Sequence, residues 1–151
     1  MRLAAALVAA LVLAGAAPAA IVVGRGIGGV TIGMSRSAVR AKLGKPAKVV
    51  HATNEFGPYT QFRFAGYTVN FQGNGTATSV ETTLARERTA AGVGVGSTWG
   101  QVKTKVPGVV CEGSPELGHC HVGKLLPGRT VTDFFFKKSH VQSVLVGVVL
   151  D

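Results

Sequence analysis

Two hydrophobic periods alternate along the chain. Around 34–44 and again around 97–107, apolar residues recur at helical spacing: Ala38, Val39 and Leu43 in the first stretch, Val102 and Val106 in the second. Ser35 and Thr98 stand where a short hydroxyl side chain caps a helix, its oxygen accepting from a backbone N–H one turn on. Gly44 with Pro46, and Pro107 with Gly108, then stop the two helices. After each helix the period drops to two. Extended segments are predicted at 48–52, 59–64, 67–72 and 77–82, and again at 109–111, 119–123, 130–136 and 140–149. Gly57-Pro58, Ala65-Gly66 and Gly73-Asn74-Gly75 join them as hairpin turns, so the sheet should be antiparallel.

The same order occurs twice. Gly33-Met34-Ser35-Arg36 with Val39 and Leu43 returns 63 residues on (33 to 96) as Gly96-Ser97-Thr98-Trp99 with Val102 and Val106. The expected fold is therefore α+β, in two tandem repeats, each a short N-terminal helix packed on an antiparallel sheet of about four strands. Residues 30–83 form the first repeat, 84–92 a linker and 93–151 the second. Cores of such small units are marginal, so the two should pack as one cooperative body. Residues 144–150 are apolar on both faces, which makes that strand the candidate seam between the repeats.

Strand parity then sorts the side chains. If Tyr67, Val69 and Phe71 face the helix, their counterparts Thr132, Phe134 and Phe136 do too, together with Phe62 and Phe64. Tyr59, Gln61, Arg63, Asn70, Asp133 and Phe135 then face outward. Among them Tyr59, Arg63 and Phe135 are of the types enriched at protein interfaces, and Tyr59, Arg63, Asn70, Asp133 and Phe135 are the candidate partner-binding residues. The competing expectation is that the other repeat covers this face.

The first residues carry a different signal. Met1-Arg2, an apolar run at 3–13 and small residues up to Ala20 read as a secretory signal peptide over 1–20, cleaved after Ala19 or Ala20. Leu13-Ala14-Gly15-Ala16 has alanine where a lipoprotein signal has its acceptor cysteine, so a free rather than lipid-anchored extracytoplasmic protein is expected. No later segment is long and apolar enough to span a bilayer. Residues 21–29 read as a flexible glycine-rich leader; Gly24-Arg25-Gly26-Ile27-Gly28-Gly29 lacks the strand before and helix after that a dinucleotide fingerprint requires.

Charge widens the choice of partner. Sixteen Lys and Arg against seven Asp and Glu leave a net charge of +9, and Arg36, Arg40, Lys42, Lys45 and Lys48 form the densest basic cluster. That cluster is a candidate patch for an anionic envelope component, or simply a solvated helix face. No aromatic residue interleaves with it, and no nucleic-acid partner is expected.

Catalytic chemistry finds little support. No two carboxylates have a spacing that implies a pair on one face near a histidine, and His51 with Glu55 is the nearest approach to one. No cofactor and no metal site are expected. Cys111 and Cys120 are the only cysteines, and in an oxidising compartment a disulfide stands ahead of a zinc site using His119 and His121.

The run Ile32-Gly33-Met34-Ser35-Arg36-Ser37-Ala38-Val39, then Leu43-Gly44-Lys45-Pro46, followed by a sheet ending in Phe71, a glycine turn and Ser79-Val80, resembles the SmpA/OmlA family of small envelope proteins. It is also similar to the tandem-repeat β-lactamase inhibitory proteins secreted by actinobacteria. The resemblance implies small helix-plus-sheet modules, two of them in the inhibitors, with a short cysteine-bridged loop such as Cys111 and Cys120 would form. The expected function is a secreted, non-enzymatic protein-binding module, inhibitor-like or envelope-associated, monomeric and using an outer sheet face. The alternative is a basic protein that binds envelope or other anionic polymer, and after it a small secreted enzyme. Mass spectrometry decides the cysteine chemistry: the expected intact mass is two hydrogens below the reduced chain with no zinc bound, whereas two free thiols that take up zinc would reverse the order.

Overall fold

The computed structural model describes residues 19–150; most of the expected signal peptide, 1–18, lies outside the described residues. In chain order the elements are β1 (Ile21–Val22), β2 (Gly26–Ile27), β3 (Val30–Thr31), α1 (Arg36–Leu43), β4 (Lys48–Asn54), β5 (Gly57–Phe64), β6 (Tyr67–Gln72) and β7 (Ala77–Thr82). They continue with α2 (Trp99–Lys105), β8 (Val110–Glu112), β9 (His119–Val122), β10 (Thr130–Lys137) and β11 (His140–Val148).

Both helices begin on the expected hydroxyls. Ser35 is extended and its Oγ accepts from the Ala38 amide at 3.1 Å, while Gly44, at φ 83°, ends α1 with its amide on the Arg40 carbonyl at 2.8 Å. Thr98 and Gln101 form a reciprocal capping box at α2. Helices this short are not stable alone in water. They are held by Val39 and Val102, both wholly buried in the core.

The expectation of two tandem helix-plus-four-strand repeats is overturned. Strands hold 45% of the described residues and helices only 11%, so the protein is mostly β. One continuous antiparallel sheet runs β4-β5-β6-β7-β11-β10-β9-β8, and a second, small sheet is ordered β1-β2-β3. Closure comes from β11, which pairs with β10 and, on its other edge, with β7 in the register Val144↔Thr82, Leu145↔Glu81, Val146↔Val80 and Gly147↔Ser79. Val80 and Val146 are both fully buried, and a single hydrophobic core takes in Val39, Phe62, Val102 and Phe134 alike. The physical reason is edge satisfaction: an apolar strand with open backbone groups on one side is stable only when another strand fills that side.

The segment 21–29, expected as a flexible leader, is part of this core. Ile21 and Ile27 are 1% exposed and Val30 is fully buried, and the Gly24 amide donates to Thr132 Oγ1 of β10 at 2.7 Å. The Ile21 amide donates to the Arg88 carbonyl at 3.0 Å, tying this segment to residues 84–92, which were expected as a linker. There the buried Glu87 accepts from the buried Tyr67 hydroxyl, and Arg86 Nε stands 3.4 Å from the same carboxylate oxygen. Gly28, at φ 62°, presses its backbone on the Tyr67 ring; a Cβ there would lie 2.8 Å from a ring carbon. Burial, reinforced by Glu87, pushes the Tyr67 phenol up to about 12.

Both helices and the small sheet lie on one face of the large sheet, the inner face. Phe62 against Phe71 and Trp99 against Phe136 pack edge to face there, each with ring centroids 4.8 Å apart. Replacing Tyr67 by Phe removes the donor to Glu87 but keeps the ring. The expected loss is about 1–3 kcal/mol in urea unfolding with an unchanged slope; no loss would mean that Glu87 needs no protein donor.

Candidate binding face

Parity along β5, β6 and β10 places every outward candidate on the face opposite the helices. Arg63 of β5 is exposed and its Nε donates to Gln61 Oε1. Gln61 Nε2 donates in turn to Asn70 Oδ1, and Asn70 Nδ2 to Ser79 Oγ, each at 2.9 Å. This polar row crosses β5, β6 and β7. Tyr59 lines the same shallow groove as Gln61 and Asn70, floored by Val131, Leu145 and Gly147. Asp133 and Phe135, on β10, lie beyond β11 from that row. The five candidates thus share a face but form two groups.

The basic candidates do not form one patch. Arg36 Nη2 donates to Thr60 Oγ1 and to the Gly73 carbonyl, and its guanidinium lies 5.4 Å from the Phe71 ring centroid. Arg40 covers the Phe62 ring at 4.7 Å. Both therefore lie along the aromatic core with their charge at its margin. Lys42 and Lys45 border a cleft with Arg86 and Tyr67, and Lys48 sits across the sheet opposite Arg63. His51 Nδ1 lies 3.2 Å from Thr60 Oγ1, a neighbour other than the Glu55 considered from the sequence.

The second outward group is organised by the disulfide. Cys111 and Cys120 are bonded, with their Cα atoms 3.9 Å apart on directly opposed positions of β8 and β9. Cys120 is fully buried on the inner side, so its neighbours His119 and His121 both take the outer side. The same register sets Glu112 opposite His119, and the β9–β10 register sets Phe135 opposite His119 and Asp133 opposite His121. His119 Nδ1 lies 2.9 Å from both Asp133 carboxylate oxygens, and Nε2 lies 3.3 Å from Glu112 Oε2. The His119 ring stacks on Phe135 at 6.0 Å and 15° and on His121 at 5.8 Å and 24°. His121 is buried, and its Nδ1 has no hydrogen-bond partner among the described residues.

His119 and His121 were considered from the sequence only as zinc ligands, behind the disulfide, and Glu112 was given no role; two carboxylates do meet one histidine here. Part of the signal was present: once Cys111 and Cys120 are taken as opposed, antiparallel counting pairs Glu112 with His119. The approach of Asp133 was not legible, because the connection from β9 to β10 has no length that fixes a register. Burial alone would lower the His119 pKa, but the bonds to Asp133 and Glu112 outweigh it and raise it above the ordinary value. Burial also raises the Asp133 carboxyl, against the opposing pull of His119 and His121. The two shifts act together, and the pair keeps a proton to higher pH than an isolated imidazole would. Among the described residues the His119 ring bonds only to carboxylates, an arrangement that fixes ring orientation and charge.

No family model matches the chain, and no curated protein matches it. Solved structures give likeness of fold. One is an extracellular protein containing a SCP domain from Bacillus anthracis strain Ames, 8% identical, TM-score 0.53, with the match covering 78% of this chain. This chain spans only 44% of that protein's length. Another is a DUF4309 family protein (YjgB) from Bacillus subtilis subsp. subtilis strain 168, 17% identical, TM-score 0.51, covering 81% of this chain and 84% of that one. Neither is described as a SmpA/OmlA module or a β-lactamase inhibitory protein. Among the described residues no helix is long and apolar enough to cross a membrane.

The His119 shift carries a pH consequence. Its folded-state pKa is raised, so its contribution to stability is complete below the unfolded value near 6.5 and is lost as pH rises through the folded value. Asp133→Asn should lower the His119 titration midpoint in NMR and flatten the fall in stability above that pH; an unmoved midpoint would detach Asp133 from His119.

Proposed function

We propose that this chain is a secreted, non-enzymatic binding module that holds a protein partner on the outer face of its large sheet, centred on Phe135, His119 and Asp133. One observation carries the proposal: Phe135 is 38% exposed and stacked on a histidine that two carboxylates hold in place. A large aromatic surface already ordered before contact loses little conformational entropy on binding. Two of the seven acidic residues meet at this point in a chain of net charge +9, which favours a partner presenting cationic and aromatic groups. Export is supported by the signal-like 1–20 segment and by the disulfide. Tyr59, Arg63 and Asn70 extend the same face beyond β7. A second reading, an anionic envelope polymer, draws on the cleft where Lys42, Lys45 and Arg86 converge.

Affinity capture from the exported protein fraction separates the two. A defined protein should be retained by the unaltered chain and by Lys103→Ala, on the helix side. It should be lost on Phe135→Ala by about 10-fold or more in affinity at unchanged thermal midpoint. Retention by Phe135→Ala would remove the proposal, and binding that falls steeply with salt and needs Lys42 and Lys45 would favour the polymer.

A further inference from the structure

We infer that the groove across β5, β6, β7 and β11 is a binding site for a neutral carbohydrate chain, separate from the Phe135 patch. The groove encloses about 390 Å³, within the range of small-ligand sites. Its polar wall consists of Asn54, Gln61, Asn70, Gln72 and Ser79 with the Tyr59 ring beside them, Val148 and Leu150 add apolar lining, and among the described residues no charged side chain lines it. That neutrality stands out in a chain of net charge +9. The nearest cation on this face, Arg63, has its Nε committed to Gln61 Oε1.

Side-chain amides are matched to hydroxyls. Each amide offers donors and an acceptor in one plane, and a sugar hydroxyl is likewise donor and acceptor at once. An apolar ligand would strip water from these amides without replacing its hydrogen bonds, and an anion would find no cation in the lining itself, only the Arg63 guanidinium at its margin, tied at Nε to Gln61. The internal bonds hold the amides in place and leave capacity over. Gln61 and Asn70 each use one N–H in the row ending at Ser79, so a second N–H on each remains. Asn54 and Gln72 face each other, with contacts at 3.4 and 3.3 Å, and the Tyr59 hydroxyl makes no hydrogen bond within the described residues. Tyr59 adds an aromatic surface suited to the C–H face of a pyranose.

Two backbone features keep the groove open. The register slips between Asn70 and Phe71, so Thr78 is an extra residue on β7, and its Oγ1 donates back to the Asn70 carbonyl at 3.2 Å. Gly147 lies in the interior of β11, where its φ is not positive, so left-handed geometry does not explain a glycine there. A Cβ at Gly147 would sit 3.0 Å from Leu145 Cδ2 and 3.1 Å from Ser79 Cβ, on the groove floor. What glycine supplies is space. The groove reaches Asn54 at the end of edge strand β4, but its centre lies over β5, β6, β7 and β11, each paired on both sides, so no backbone ladder is free there to take up a peptide strand.

The site shares Tyr59 and Asn70 with the outer face proposed for a protein partner but not its centre at Phe135, so Phe135→Ala separates the failure of one proposal from the failure of the other. Calorimetric titration of the full chain with chitohexaose, cellohexaose and maltohexaose, beside an anionic hyaluronan hexasaccharide, tests it. At least one neutral hexasaccharide should bind with Kd below about 1 mM, equally at low and high salt. Tyr59→Ala and Asn70→Ala should weaken that binding about 10-fold or more and Tyr59→Phe less than Tyr59→Ala, while Phe135→Ala leaves it unchanged. Thermal midpoints of all four variants check that folding is retained, and Tyr59→Phe keeps the ring if Tyr59→Ala does not fold. Failure of all neutral probes, preference for the anionic one, or neutral binding indifferent to both Tyr59→Ala and Asn70→Ala would overturn the inference.

Discussion

The pairing of β7 with β11 is the contact on which the other features depend. Val80 and Val146 face each other across it with no exposure, and through it two four-stranded runs become one sheet with a common core. Without that pairing each run would end in an open apolar edge and would have too little surface to bury for independent stability. It also makes the outer face continuous. The groove floor is built from Gly147 and Leu145 of β11 on one side and Ser79 of β7 on the other, so the groove exists only because these strands meet.

The N-terminal segment completes the opposite face. Glycines at 24, 28 and 29 take positive φ values, which let a nine-residue stretch (21–29) fold back over the sheet with Ile21 and Ile27 driven into the core. Tyr67 and Glu87 fasten the corner where this stretch meets residues 84–92. Because all helical and small-sheet material gathers on this side, the other face is left to side chains that bond to one another across strands.

Those cross-strand bonds divide the outer face by chemistry. On one half, neutral amides form a row from Gln61 to Ser79; on the other, the disulfide joins β8 and β9 in the register that pairs Glu112 with His119, and the β9–β10 register brings Asp133 to them. The row on the first half offers neutral amide donors and acceptors, and the second half has an aromatic stack carrying acid. A sheet can hold two such surfaces on one face because each side chain is positioned by its own strand and its immediate neighbours.

Local features were legible from residue order. Ser35 and Thr98 cap the helices, the glycine turns close the hairpins, and period-two alternation separates Phe62, Val69 and Phe134 from Gln61, Asn70 and Phe135, because each depends on neighbours within a few residues. The disulfide between Cys111 and Cys120 belongs to the same class. The repeated helix signal misled about architecture, since a sequence pattern records what each strand looks like and says nothing of which strand fills its open edge. The glycine-dense 21–29 stretch misled similarly: its few apolar residues carry no periodic signal, and their burial depends on a surface made by distant strands. The approach of Asp133 to His119 and the groove beneath Tyr59 arise from register between segments joined by loops of no fixed geometry. Only the packed sheet decides them, because backbone pairing and edge satisfaction are properties of strands brought together in space.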